Sequence, residues 1–264
     1  MGSTLTILGC GSSGGVPRVG NNWGLCDPEN PKNRRQRCSV LVEREGKAGK
    51  TSVLIDTSPD LREQLISAKC HALDGVLYTH DHADHTHGID DLRPLVIMSG
   101  ERVHVWAEER TASMLLNRFG YCFHTPPGSQ YPPTLELHDL DPIGVTTIDG
   151  DGGAISARAF ELIHGGITAL GFRIGNVAYT PDVSDVPDEA QDALAGLDCW
   201  IVDALRRTPH PSHFSLPETL EWIARIKPKR AVITNMHVDM DYETLCNELP
   251  EGVVPAYDGM RITL

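Results

Sequence analysis

The chain has 264 residues, long enough to bury about 75% of its unfolded surface without needing disulfide or metal staples. Lys and Arg number 23 against 36 Asp and Glu, and a net charge of −13 argues against a life on nucleic acid or an anionic membrane, both of which reward a basic face. Hydrophobic residues at 40% exclude wholesale disorder, and no apolar run reaches the length of a membrane-spanning helix.

The first predicted strand is Thr4–Leu8, followed by the glycine-rich Gly9–Gly15. Ser39–Glu43 and Ser52–Asp56 read as a hairpin turning at Gly46–Lys50. Ser58-Pro59 is the expected cap and first position of a helix running on through Asp60–Ala68. The short apolar strand Gly75–Tyr78 follows, then a helix over Ile89–Met98, a strand Val103–Ala107 and helical spacing over Glu108–Arg118. Phe119–Pro133, rich in aromatics, Gly and Pro, reads as a long loop. Strands are expected near Gly144–Ile148, Ile155–Glu161, Ala169–Ile174, Val177–Tyr179 and Asp198–Ala204. Ser215-Leu216-Pro217-Glu218 is a capping box ahead of the helix Thr219–Ile226, Arg230–Thr234 is a strand, Asp241 caps a last helix and Arg261–Leu264 closes the chain. Strands open each half and helices follow, the order of packed sheets with helices outside. With no linker or short repeat, residues 1–264 read as one domain. Seven cysteines without close pairs read as free thiols, and with no basic leader at the N-terminus the expected location is cytoplasmic.

The strongest chemical signal is Thr79-His80-Asp81-His82-Ala83-Asp84-His85, directly after the strand Gly75–Tyr78. His80 and His82, two apart in extended backbone, project to one side, and a turn at Ala83 swings Asp84 and His85 toward a neighbouring point. Imidazoles and carboxylates without thiolate suit zinc, manganese or iron, whereas a purely structural zinc favours cysteine and closes at four ligands. One such cluster cannot complete two metal shells, so further donors are needed. His164, Asp182 and His237 each lie just past an apolar strand, where sites of layered folds gather.

These residues carry a resemblance to the metallo-β-lactamase superfamily. His80, His82, Asp84 and His85 match its second motif; His164, Asp182 and His237 match the third, fourth and fifth in order; Asp56 matches the first, whose Asp is a supporting residue. The resemblance implies an α+β fold, a four-layer αββα sandwich, with a two-metal site at one edge. A narrower resemblance is to the phosphodiesterase branch that includes the cyclic phosphate phosphodiesterases of phosphonate breakdown. It rests on Leu8–Pro17, Arg34–Ser39, Thr180-Pro181-Asp182 and Tyr257-Asp258-Gly259-Met260. His213, in His210-Pro211-Ser212-His213-Phe214-Ser215, falls where that branch carries a catalytic histidine beyond the metal ligands. The branch's phosphonate enzyme holds an extra structural zinc through clustered cysteines in its N-terminal loop. Only Cys26 is offered here, so no third metal is assigned.

The expected chemistry is therefore hydrolysis of a small phosphodiester, such as a cyclic nucleotide or sugar phosphate. Two divalent ions, zinc or manganese, and a hydroxide shared between them would carry the attack. His80, His82 and His164 are expected at one metal, Asp84, His85 and His237 at the other, and Asp182 between them. His213 is expected to bind substrate and, with Asp182 and Asp84, to act in catalysis. It precedes a helix N-terminus that favours anions, and its imidazole can donate a proton near neutrality. The rival readings are a thioester or lactone hydrolase of the same fold, a tRNA 3′-end endonuclease and a non-catalytic metal-binding accessory protein. The second is disfavoured by the acidic balance and the lack of a Lys-rich arm. A homodimer stays open. Arg34, Arg35 and Arg37 read as a solvated basic run rather than a substrate clamp, and Gly9–Gly15 as a turn that needs glycine. His71, His87, His104, His124 and His138 join no constellation.

Overall fold

Alternating apolar side chains decide the layering. In the first strands Leu5, Ile7, Val40, Val42, Val53 and Ile55 share one buried cluster, while the intervening Leu8, Leu41 and Leu54 belong to another. A strand whose two faces are both apolar must be covered on both sides. The computed structural model, which describes residues 2–264, shows how this is done.

Strands β1 (Ser3–Gly9), β2 (Ser39–Glu45), β3 (Lys50–Ile55), β4 (Gly75–Leu77), β5 (Val103–Ala107), β6 (Leu135–Asp139) and the C-terminal β14 (Arg261–Thr263) form a seven-stranded sheet. Its order is β14-β1-β2-β3-β4-β5-β6. A second seven-stranded sheet contains β7 (Val145–Ile148), β8 (Ile155–His164), β9 (Ile167–Ile174), β10 (Val177–Thr180), β11 (Cys199–Asp203), β12 (Ala231–Thr234) and β13 (Val253–Pro255), in reverse order from β13 to β7. Their facing sides enclose the central core, with Leu5, Ile7, Val42 and Ile55 opposite Leu170, Phe172, Tyr179 and Ile201. Helices α1 (Leu61–Ala68), α2 (Ala83–Thr86), α3 (Arg93–Ser99) and α4 (Glu109–Phe123) follow strands of the first sheet. Leu61, Leu65, Leu95 and Leu115 from α1, α3 and α4 cover its outer face. Helices α5 (Asp188–Gln191) and α6 (Leu216–Ile226) cover the second around Trp200, Phe160 and Trp222, and α7 (Tyr242–Glu248) precedes β13. The result has the packed sheets with helices outside that the order of strands and helices suggests, in the αββα arrangement that the family resemblance implies.

Both sheets change from antiparallel to parallel pairing partway across. β3 through β6 are parallel, and so are β10 through β13. Residues after β4, β10, β11 and β12 therefore emerge on one rim, the usual place for a site in a parallel sheet.

Several expectations change in detail. The helix after Ser58 starts at Leu61, with Asp60 at the N-cap. Ser58 instead receives the Asp60 amide on its Oγ, so Ser58-Pro59 forms the turn before the helix. Ile89–Leu92 is a tight 3₁₀ turn and α3 begins only at Arg93, where Pro94 fits the first helical turn. The loop expected from Phe119 begins five residues later. α4 bends at Phe119 (φ −126°, ψ 28°) and continues to Phe123, because Cys122 and Phe123 bury against the outer core of the first sheet. Strands β6 and β13 were not anticipated. The capping box holds: the Glu218 carboxylate accepts from both the amide and the hydroxyl of Ser215.

Candidate metal centre

Two left-handed residues shape the rim. Asp56 (φ 66°), just after β3, and Asn235 (φ 60°), just after β12, turn the chain sharply where most side chains resist that backbone. Asp56 is fully buried, accepts from the amide and hydroxyl of Thr79 at 2.8 Å each, and pairs with His85 Nδ1 at 2.7 Å. The short helix α2 then carries Asp84 and His85 back toward the rim.

The inward atoms converge on Asp182. Its Oδ2 lies 3.7 Å from His80 Nε2 and 3.6 Å from His164 Nε2, and its Oδ1 lies 3.2 Å from His85 Nε2. Asp84 Oδ2 is 3.6 Å from His85 Nε2. His82 Nδ1 is 3.2 Å from His164 Nε2, and donor atoms of His80, His82, His164 and Asp182 all lie within 4.8 Å of one another. His237 stands apart from this set: its Nε2 meets the Arg18 guanidinium and its Nδ1 meets Asp239 at 3.0 Å.

A divalent cation fits these residues. His80 Nε2 and His85 Nε2 are buried polar atoms without a hydrogen-bond partner, a costly state in a folded interior unless something else engages them. The opposite ring nitrogens are fixed: His80 Nδ1 by Thr79 Oγ1 (2.9 Å), His85 Nδ1 by Asp56 and His164 Nδ1 by the Ser212 carbonyl (2.6 Å). Histidines that ligate metal are oriented through their second nitrogen in this way. Burial, with the nearby His85 charge, holds His80 well below the usual imidazole range; burial also lowers His164. For His85 burial is outweighed by Asp182, Asp56 and Asp84, which raise it. Burial likewise opposes the ionised Asp182, but His85 and the other imidazoles hold it well below the carboxylate range. The cluster thus keeps anionic oxygen amid imidazoles.

His213 sits beside this centre. Its Nδ1 bonds to the fully buried Asp203 at 2.7 Å and its Nε2 lies 4.0 Å from Asp182 Oδ2. Burial would lower His213, but the Asp203 carboxylate outweighs it and raises the imidazole. Asn235 donates to Asp182 (3.3 Å) and Asp203 (3.2 Å), tying the two carboxylates together. A cavity of about 330 Å³ opens over the cluster, lined among others by Ser12, Arg18, Arg206, His210 and His213.

Asp203, Asn235, Arg18, Arg206 and His210 were missed in the sequence, although His210 shares a segment with His213. Asp203 ends the buried strand β11, and a carboxylate at that position is the signal the sequence offers for it. In the basic run Arg34 is exposed, as expected, but Arg35 is buried, donating to the Met240 carbonyl at 2.7 Å and contacting Cys26 Sγ at 3.8 Å, and the half-buried Arg37 pairs with Asp60 at 2.8 Å. Arg35 is therefore no solvated loop residue, and Arg37 is held by an ion pair. Gly11 lies against that segment: a Cβ there would stand 2.9 Å from the Arg35 carbonyl, so glycine serves close packing while Ser12 and Ser13 reach the cavity. All seven cysteines are free, and six are buried.

The beta-lactamase superfamily domain matches residues 51–236, from β3 through the strand that precedes His237. The chain belongs to that superfamily. A crystal structure described as a new diphosphatase from the PhnP family is 36% identical and superimposes with a TM-score of 0.88, covering 100% of this chain and 98% of its own. Zn(2+)-bound PqqB from Methylobacterium extorquens has the same fold at 18% identity and a TM-score of 0.76, with 99% and 100% covered. The octanoyltransferase of Porphyromonas gingivalis is 32% identical over 260 residues, which are 97% of this chain and 50% of that protein. The chain thus spans about half the length of that curated relative. Superfamily membership and the His/Asp cluster together give a metallo-β-lactamase fold whose rim gathers donors suited to a divalent cation. Among the described residues, no helix is long and apolar enough to cross a membrane.

Proposed function

We propose that the protein is a metal-dependent phosphodiesterase acting on small substrates, open-chain or cyclic, with two divalent cations at the His/Asp cluster. Asp182 carries the reading: one carboxylate oxygen faces His80 and His164, and the other faces His85. A carboxylate divided in this way suits a bridge between two ions. His80, His82 and His164 would hold one, and Asp84 and His85 the other, with His237 joining when Arg18 turns away from its ring. Seven donors exceed what one tetrahedral ion uses, and zinc or manganese suits imidazole and carboxylate donors. When bound, such ions bring the pKa of water toward ~7 and offset charge on the phosphoryl oxygens.

The chain's own residues supply the rest. Arg18 and Arg206 line the cavity and take the phosphate oxygens, guanidinium groups being suited to that geometry. Asp203 accepts from Nδ1–H of His213 and, against the lowering effect of burial, raises the imidazole to about 9, so near neutrality the ring is an imidazolium that also carries a proton on Nε2 toward the cavity. From Nε2, His213 gives a proton to the departing alkoxide. Asp84, at the cavity wall, accepts a hydrogen bond from the attacking water. The 36% identity to a PhnP-family diphosphatase over the whole chain supports phosphoryl rather than acyl chemistry.

The match to half of an octanoyltransferase raises an acyl reading. The cavity opposes it, since Leu205 is the one aliphatic side chain among its lining residues and an eight-carbon chain needs an apolar channel. A panel of phosphodiesters, phosphomonoesters, thioesters and lactones, assayed with zinc and with manganese, tests the proposal. Turnover of diesters ahead of all other classes is expected. Turnover confined to thioesters, or to phosphomonoesters, would overturn it.

A further inference from the structure

A second cluster of metal-binding side chains lies far from the site just described. β5 and β6 pair in parallel with His104 beside Glu136 and Trp106 beside His138. His104 Nδ1 is 2.8 Å from His138 Nε2, and Glu136 Oε1 is 3.8 Å from the same His138 nitrogen. The three donors lie within 4.8 Å of one another. The indole of Trp106 stacks on His138, with ring centroids 4.8 Å apart and planes at 24°. β4 and β5 pair Val76 with Val105, so His104 is level with Gly75, the start of β4, whereas His80 lies beyond its end. Five residues of chain, three of them in β4, separate the two levels.

We propose that His104, His138 and Glu136 form an independent binding site for a transition-metal ion that prefers imidazole, such as zinc or copper(II). Three features carry the inference. The donors are two nitrogens and one carboxylate oxygen, a set that selects these ions over magnesium and calcium. The nitrogens need to part only slightly to reach the separation of about 3.3 Å that two bonds of 2.0–2.1 Å on a tetrahedral ion demand. Trp106 buttresses the His138 ring, so the site is partly ordered before an ion arrives. The cluster also edges a cavity of about 550 Å³ whose walls include Asp74, Glu101, Glu136 and Asp149 against the single cation Arg102, a surrounding that attracts positive charge. The three protein donors leave a coordination position for water or a ligand from solution.

The test uses protein already loaded at the His/Asp cluster and freed of loose metal. Calorimetric titration with zinc should show one added equivalent in the wild type and none in the His104→Ala/His138→Ala double variant. Glu136→Gln should weaken binding without abolishing it. Copper(II) should quench the Trp106 component of the emission, and Trp106→Phe should remove that component while keeping the calorimetric equivalent. Phosphodiester turnover should be unchanged in the double variant, whose two substituted side chains sit on the solvent side of an edge strand pair. An added equivalent and quenching that persist in the double variant would overturn the proposal, as would a wild type that takes up no added ion.

Discussion

The two histidine clusters of this protein are built from similar donors in opposite ways. At the rim, His80, His85, His164 and Asp182 are almost wholly buried, and their outer nitrogens are fixed by Thr79, Asp56 and Ser212. On β5 and β6, His104 and His138 instead satisfy each other across 2.8 Å and face solvent. The difference teaches what burial contributes. A buried donor with no protein partner is held in a costly state until a cation engages it, whereas an exposed pair loses only a hydrogen bond that water can replace. On the proposed reading the rim suits tight binding, and the edge pair weaker, exchangeable binding.

The largest expected break in that comparison is Asp182→Ala. It removes the one group that faces both halves of the rim cluster, so diesterase activity should fall by more than the roughly 10²–10³-fold typical of losing one transition-state contact. Metal content at the rim should fall with it, while zinc uptake at His104 and His138 stays as in the wild type. A variant that keeps its rim metals would separate Asp182 from that role. His213→Ala should preserve both metals and the fold and lower kcat on alkyl diesters by roughly 10²–10⁴. A nitrophenyl diester, whose leaving group departs without a proton, should suffer much less. Equal losses on both substrates would assign His213 to charge stabilisation instead.

Asp56→Asn sharpens the contrast between supported and unsupported histidines. It leaves every direct donor in place but weakens the anchor of His85, and metal affinity at the rim should drop about 10–100-fold. The edge pair has no such anchor and should be unaffected, as competition with a chromophoric chelator would report.

The smallest effect concerns the loop that brings Arg18 over the cavity. Asp241 caps α7 and accepts from the Asp27 amide and the Asn33 side chain. Burial pushes its carboxyl up, but these bonds and those from Thr244 prevail and hold it at about 2. The folded value lies below the unfolded value of about 3.9, so the stabilisation is fully present above pH 4 and disappears as pH falls toward 2. Urea midpoints should show Asp241→Asn less stable than the wild type at pH 6, and the gap should close between pH 4 and pH 2. A gap that widens on acidification would contradict the assignment.

How far each cluster can be read from sequence follows from how it is made. His80, His82, Asp84 and His85 fall within six residues of one segment, and their partners sit at strand ends recognisable as such, so the rim is legible in the sequence alone. Arg18 and Asn235 are not, because their roles depend on a turn over the cavity and on a left-handed residue, neither of which leaves a periodic trace. His104 and His138 look unrelated in the sequence because β6 is not recognisable there, and only the β5–β6 register brings them together. Similarly, the extra turn of α4 is driven by the burial of Cys122 and Phe123, a tertiary effect that outweighs the Gly and Pro nearby.

The most direct measurement is anomalous diffraction from a crystal soaked in zinc, with data on both sides of the zinc absorption edge. The account predicts two strong peaks separated by Asp182, one among His80, His82 and His164 and the other beside Asp84 and His85. A weaker third peak is expected between His104 and His138. A single rim peak, or a pair that Asp182 does not join, would contradict the two-metal centre on which the proposed phosphodiesterase rests.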